Sequence, residues 1–131
     1  MVPQIDERSD EIRGTGGDYR RAMVNRTALF GIVIVRGASM EPTLRDGDRL
    51  LVRWGRGRAR PGAVAVLRLP DRPLSIKRLA FREPGGWWVE RDNPAVGVDS
   101  WQVGAIPDED LIGVALFRLA PSPGRIASLS Q

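Results

Sequence analysis

The chain of 131 residues contains neither cysteine nor histidine. Without cysteine it can form no disulfide, no thiol nucleophile and no thiolate metal site. Without histidine it can form no Ser-His-Asp triad, and it also lacks the side chain that most often serves as a general base or zinc ligand. Any hydrolytic chemistry in this chain must therefore use a different base.

Lysine is almost absent as well. Lys77 is the only lysine among the 20 basic residues, and all the others are arginine. Arginine stays protonated in proteins, whereas lysine can release its proton, so Lys77 is the one basic side chain that could act as a general base. The alternative is a lysine that extends from a strand into solvent and has no chemical role.

Long apolar runs are missing too. The longest covers residues 28–35, which is eight residues, whereas a helix needs about 20 to cross a bilayer. The first residues are too acidic and polar for a secretory signal. The 20 basic and 16 acidic residues alternate along the whole chain, which is typical of a solvated surface and not of a nucleic-acid-binding face. We therefore expect a cytoplasmic protein without a transmembrane anchor.

The pattern of apolar runs divides the chain into three parts. Residues 1–26 carry charges and glycines without apolar periodicity, which predicts a flexible N-terminal segment. Residues 27–120 contain short β-branched runs separated by turn signals and no amphipathic helical stretch, which predicts one all-β domain. Residues 121–131 form a C-terminal tail. The expected strands cover residues 27–35, 49–54, 63–69, 74–81, 87–90 and 114–119, with one helical turn near 107–113.

Two residues have neighbours that favour chemistry. Ser39 lies in a turn after the first expected strand, where the small residues before it would let a substrate backbone come close. Pro42 stiffens that turn. Lys77 lies between Ile76 and Leu79 in an expected strand, where burial would disfavour the charged amine, so that Lys77 could lose its proton and serve as a base. Alone, a serine in a turn is ordinarily a hydrogen-bonding turn former.

Three stretches together resemble a known family. The sequence GASMEPTLRDGDRLLV is similar to the nucleophile box of the type I signal peptidases, and SIKRL is similar to their lysine box. Asp92-Asn93, followed by Asp99-Ser100, Gly104 and Pro107, resembles their third box. The boxes occur in the family's order between residues 30 and 117. Within the family, the compact length, the missing anchor and the sequence GGWWV most resemble the small soluble proteases that mature nickel-containing superoxide dismutase.

The resemblance implies a compact all-β, signal-peptidase-like core without a second domain inserted between Lys77 and Asp92. It also implies a serine endopeptidase that needs no cofactor and removes an N-terminal propeptide or leader from a partner protein. The candidate substrate is the pro-form of nickel superoxide dismutase, bound as an extended peptide that adds a strand to the exposed edge beside Ser39.

The family also implies a role for individual residues. Ser39 would be the nucleophile, Lys77 the general base, and the Ser39 backbone N–H the oxyanion donor beside Gly37. Arg78 and Asp99 would form a supporting ion pair, and Met40 would shield the lysine from water. The remaining supporting positions, which are equally compatible with a structural role, are Pro42, Asp92, Asn93 and Ser100.

The chain departs from the family's pattern at several places. Gly37 lacks the hydroxyl that some relatives use as a second oxyanion donor, and Gly97 replaces a serine that orients the lysine. Lys77 would then need another hydrogen-bond partner, for which Ser75 and Ser100 are candidates. Arg91 stands where the family has glycine, and Trp101 stands where it has arginine.

Two alternatives remain open at this stage. One is a self-cleaving peptidase like the LexA-type repressors, which also pair serine with lysine on a β fold. The other is a non-catalytic β module that binds a peptide or nucleic acid.

Overall fold

The computed structural model describes residues 29–72 and 74–128, and also the backbone of residues 4–6 and 11–13. The domain is all-β, as expected. The elements, in chain order, are β1 (Gln4–Asp6), β2 (Glu11–Arg13), β3 (Phe30–Arg36), β4 (Arg49–Trp54), β5 (Val64–Leu67), β6 (Ser75–Glu83), β7 (Gly86–Glu90), α1 (Ser100–Val103), β8 (Ile106–Pro107), a 3-10 turn (Asp108–Asp110), β9 (Leu111–Ala120) and β10 (Gly124–Arg125).

The strands form one curled sheet in the order β2-β1-β3-β4-β9-β5-β6-β7-β8, with β10 paired to β9. All the pairings are antiparallel except that of β1 with β3, which is parallel. Within the described residues, no helix is long and apolar enough to cross a membrane. The residues between Lys77 and Asp92 form a single hairpin, β6–β7, as expected from the short separation of the lysine and third boxes.

Strand β5 is buried on both faces, so its side chains alternate between two apolar clusters. Val64 and Val66 pack with residues of β3 and β4, whereas Ala65 and Leu67 pack with residues of β7. Strand β6 lies next to β5, and its first six residues are all buried. Lys77 belongs to this buried stretch, opposite the small side chain of Ala65. The only lysine of the chain therefore lies in the interior.

Two short strands lie within the segment for which the sequence predicts flexibility. β1 pairs with β2 and, in parallel register, with β3, so that Asp6 is aligned with Arg36. Backbone hydrogen bonds need no apolar pattern, and the sequence pattern could not reveal these strands. β1 pairs with residues 34–36 of β3, so this part of the strand edge that leads to Ser39 is already occupied in the structure.

The helix α1 was not expected. It has four residues, too few for any apolar periodicity, and it starts at an Asp99 N-cap. The Asp99 side chain accepts a hydrogen bond from the Trp101 N–H, and the Gln102 side chain accepts one from the Asp99 N–H. This capping arrangement is the one local signal by which the helix could have been found.

Candidate active site

Ser39 and Lys77 meet in the interior of the domain. Ser39 follows β3 in a turn, and Lys77 lies on β6; their exposed fractions are 0% and 1%. The Lys77 Nζ donates a hydrogen bond to the Ser39 Oγ at 3.0 Å. When the amine is neutral, the same contact allows the hydroxyl to donate its proton to the nitrogen. A hydroxyl in contact with a buried amine has the geometry of a nucleophile and its base.

Asn93 fixes the backbone on both sides of Ser39. Its N–H donates to the Ser39 carbonyl at 2.8 Å, and its side-chain Nδ2 donates to the Ala38 carbonyl at 3.0 Å. The Ala38 carbonyl and the Ser39 N–H belong to one planar trans peptide and point in opposite directions. By holding the carbonyl, Asn93 therefore also sets the direction of the Ser39 N–H.

The Gly37 N–H is engaged by Asp46. It donates to the Asp46 Oδ1 at 2.8 Å, and Gly37 has a φ of 90°, which favours glycine. In this arrangement the Gly37 N–H is directed at a carboxylate and does not serve as a second oxyanion donor. Sequence reasoning missed Asp46, because a side chain that accepts from a backbone N–H nine residues away leaves no motif.

Gly97 lies directly against the Ser39–Lys77 pair. A Cβ atom at this position would lie 2.9 Å from the Ser39 Cβ and 3.6 Å from the Lys77 Nζ. Its φ of 93° is also in the region that L side chains rarely adopt. No side chain fits at residue 97 unless Ser39 moves, so this position cannot carry the orienting serine of the resembled family.

The supporting ion pair differs from the expected one. Arg78 does not pair with Asp99; it forms a bidentate contact with Asp92, at 3.2 Å through Nε and 2.6 Å through Nη2. The register of β6 with β7 aligns Arg78 with Glu90, and Asp92 lies two residues further on the same side. Asp99 instead accepts from the Arg91 N–H and caps α1.

This pair links the lysine strand to the nucleophile turn. The Thr43 hydroxyl donates to the Asp92 Oδ2 at 2.6 Å, and Arg78 also donates to the carbonyls of Gly62 and Ala127. The side chains of Arg78 and Asp92 are only 3% and 4% exposed. The guanidinium is therefore a buried charge that donates hydrogen bonds to the Asp92 carboxylate and to two backbone carbonyls.

Three further residues expected at the site are Met40, Pro42 and Ser100. Met40 is buried in the apolar cluster that includes Val33 and Leu50, and Pro42 is exposed in the turn. Ser100 is buried, but its hydroxyl accepts from the Val89 N–H at 2.8 Å. Ser100 therefore does not supply the partner of Lys77 that the sequence suggested.

Removing the Asp92 carboxylate should destabilise the protein strongly. Asp92→Ala would leave the Arg78 guanidinium buried without its counter-charge, and we expect the free energy of unfolding to fall by about 3–5 kcal/mol. Urea denaturation measures the change. The matched control is Asp108→Ala, which breaks the exposed Arg82–Asp108 pair, a contact that lowers the pKa of the Asp108 carboxyl. The control should change stability little, and equal losses in both variants would contradict the account.

An open cleft of about 670 Å³ lies beside Ser39. One wall of the cleft is the turn at residues 37–41, and another is the segment at residues 96–98. Small residues dominate near Ser39, so an extended peptide backbone could approach the hydroxyl. The side chains of Glu41, Asp46 and Arg72 contribute polar groups to the cleft, and Val96 and Val98 contribute apolar surface.

Comparison with known proteins identifies a family for the chain. No curated protein matches the chain. A family model described as Peptidase S24-like matches residues 5–116, which includes both Ser39 and Lys77. The family supports a serine peptidase. Since the match covers most of the sequence, the chain belongs to the Peptidase S24-like family.

Proposed function

We propose that the protein is a serine endopeptidase in which Ser39 is the nucleophile and Lys77 is the general base. The observation that carries the proposal is the 3.0 Å contact between the Ser39 Oγ and the only lysine of the chain. Both groups are buried, Ser39 lines the cleft, and the chain has no histidine or cysteine that could act as the base or the nucleophile in their place.

The reaction has two halves. Neutral Lys77 accepts the Ser39 proton while the Oγ attacks the scissile carbonyl, and the Ser39 N–H stabilises the oxyanion. The proton then passes to the leaving amine as the peptide bond breaks, which leaves an acyl ester on Ser39. Water, deprotonated by Lys77, hydrolyses the ester and restores the serine hydroxyl.

The proposed substrate is an extended segment near the N-terminus of a partner protein, with small side chains next to the cut. This preference for small side chains rests on the resemblance to the signal peptidases. The pro-form of nickel superoxide dismutase as substrate and a cytoplasmic location are further parts of the proposal, and they rest on the sequence features alone. The substrate strand would have to share or take the edge of β3 that β1 covers.

A peptide library tests the activity without knowledge of the substrate. The protein is incubated with peptides from a digested proteome, and the new N-termini are identified by mass spectrometry. We expect cuts that share small residues beside the scissile bond and that disappear when Ser39 is replaced by alanine. A pattern of cuts that survives this substitution would contradict the proposal.

Self-cleavage is a second candidate function, favoured by one observation. β1 is parallel to β3, with Asp6 aligned to Arg36, so the chain direction in β1 leads toward the turn that carries Ser39. A segment of the protein's own chain is therefore already paired with the strand on which a substrate would dock.

If the protein cuts itself, incubation of the full chain should release a short N-terminal peptide. The expected bond lies between Asp6 and Glu11, the residues that end β1 and begin β2. Intact mass measured over time would show the product, at a first-order rate that does not change on dilution, since an intramolecular reaction is independent of concentration. A stable full-length mass, under conditions in which library peptides are cut, would reject this candidate and keep the first.

A further inference from the structure

We propose that Arg91 is a positioning residue that holds Gly97 against the Ser39–Lys77 pair. The proposal rests on the proposed function, because positioning matters only if the pair reacts. Arg91 follows β7, and its Nη1 donates a hydrogen bond to the Gly97 carbonyl.

Arg91 is itself held in place by a buried carboxylate. Its N–H donates to the Asp99 Oδ2 at 2.9 Å, and its Nε lies 3.8 Å from the same oxygen. Asp99 is only 2% exposed and is fixed as the N-cap of α1. These contacts close the loop from residue 91 to residue 99 at its base. The guanidinium is therefore fixed in position and can hold the Gly97 carbonyl within this loop.

Gly97, whose carbonyl Arg91 holds, is also the loop residue that contacts Ser39 and Lys77. Because a Cβ at residue 97 would overlap Ser39, the Gly97 backbone already packs against the serine without a gap. Asn93 ties the start of the same loop to the Ala38 carbonyl, on the other side of Ser39. Asn93 and Arg91 thus support opposite ends of the short segment that covers the pair.

Loss of the Arg91 side chain should therefore lower reactivity through displacement of Gly97. A misplacement of about 1 Å in a catalytic site costs on the order of a hundredfold in rate, so we expect Arg91→Ala to lower the rate of Ser39 acylation by about tenfold to a hundredfold. The probe is an acylating β-lactam, with the adduct followed by intact mass. Arg91→Lys keeps one donor and should recover most of the rate.

The matched control is Arg82→Ala on the neighbouring strand. Arg82 also forms an ion pair, with Asp108, but it is exposed and lies at the far end of β6. We expect its replacement to leave the acylation rate unchanged. If both arginine variants slow acylation equally, the effect comes from lost surface charge and the positioning role is rejected.

A double variant tests whether Arg91 acts through Gly97. Gly97→Ala alone should slow acylation strongly, because its Cβ would push Ser39 aside. If Arg91 acts only by positioning residue 97, the double variant should acylate less than about twofold more slowly than Gly97→Ala alone. Fully multiplicative losses would show that Arg91 acts by another route.

The single lysine also gives a test that needs no activity. In protein labelled with ε-¹³C-lysine, Lys77 gives one NMR signal, which reports its surroundings. We expect this signal to move in Arg91→Ala and Gly97→Ala but not in Arg82→Ala. An unmoved signal in Arg91→Ala would overturn the positioning role. A different outcome is that the Lys77 signal moves in Arg91→Ala while the β-lactam never acylates Ser39, even in the parent protein. That result would support the contact between Arg91 and Gly97 and would reject the peptidase function.

Discussion

Replacement of Ser39 by alanine is expected to lower the peptide cleavage rate by roughly a thousandfold or more, because removal of a nucleophile eliminates the acyl-enzyme route. The measurement is the cleavage rate of the best peptide from the library, under identical conditions for parent and variant. Folding should survive, since loss of the hydrogen bond between Lys77 and the hydroxyl changes stability by about 1–2 kcal/mol.

Ser100→Ala is the matched control for Ser39→Ala. Ser100 is also a buried serine whose hydroxyl makes one described hydrogen bond, but its partner is the Val89 N–H and not Lys77. We expect a similar loss of stability in the two variants and normal cleavage by Ser100→Ala. Normal cleavage by purified Ser39→Ala would exclude Ser39 as the nucleophile.

Replacement of Lys77 by arginine should have an effect nearly as large. Arginine preserves the charge but cannot accept the serine proton, so the expected loss is that of a general base, about a hundredfold to ten-thousandfold. Initial cleavage rates of parent and variant on the same peptide measure the loss.

A second substitution keeps the lysine test informative if arginine proves too large for the buried site. Lys77→Met has a similar length and no charge, and it should fold well in a position that is 1% exposed. Circular dichroism and the melting temperature establish folding for both variants. A folded Lys77→Met or Lys77→Arg protein that keeps most of its activity would mean that Lys77 is not the base.

Much of the β domain could be predicted from sequence. Strand β4 has the predicted bounds, because an Asp-Gly turn precedes it and glycines follow it. The hairpin β6–β7 was also expected, from a Pro-Gly-Gly turn between two apolar runs. In both cases glycines adopt the positive φ angles that the turns require, so the strand ends are fixed locally. β1, β2 and α1 were missed because they are too short for any side-chain period.

The site was predicted through its boxes, but the partners of its charged groups were not. The boxes identify Ser39 and Lys77, yet which carboxylate reaches Arg78 depends on the register of β6 with β7, and this is a property of the folded sheet. The same is true of Asp46, and of Arg91 with the Gly97 carbonyl. These contacts join residues whose spacing in the chain carries no periodic signal.

The most direct test of the central claim is the site of covalent acylation. The protein is treated with an acylating β-lactam, and the adduct is located by intact mass and peptide mapping in the parent, Ser39→Ala and Lys77→Arg. The account predicts one adduct on Ser39 in the parent, none in Ser39→Ala, and formation at least about a hundredfold slower in Lys77→Arg. An adduct on another serine, or equal rates in the parent and Lys77→Arg, would contradict it.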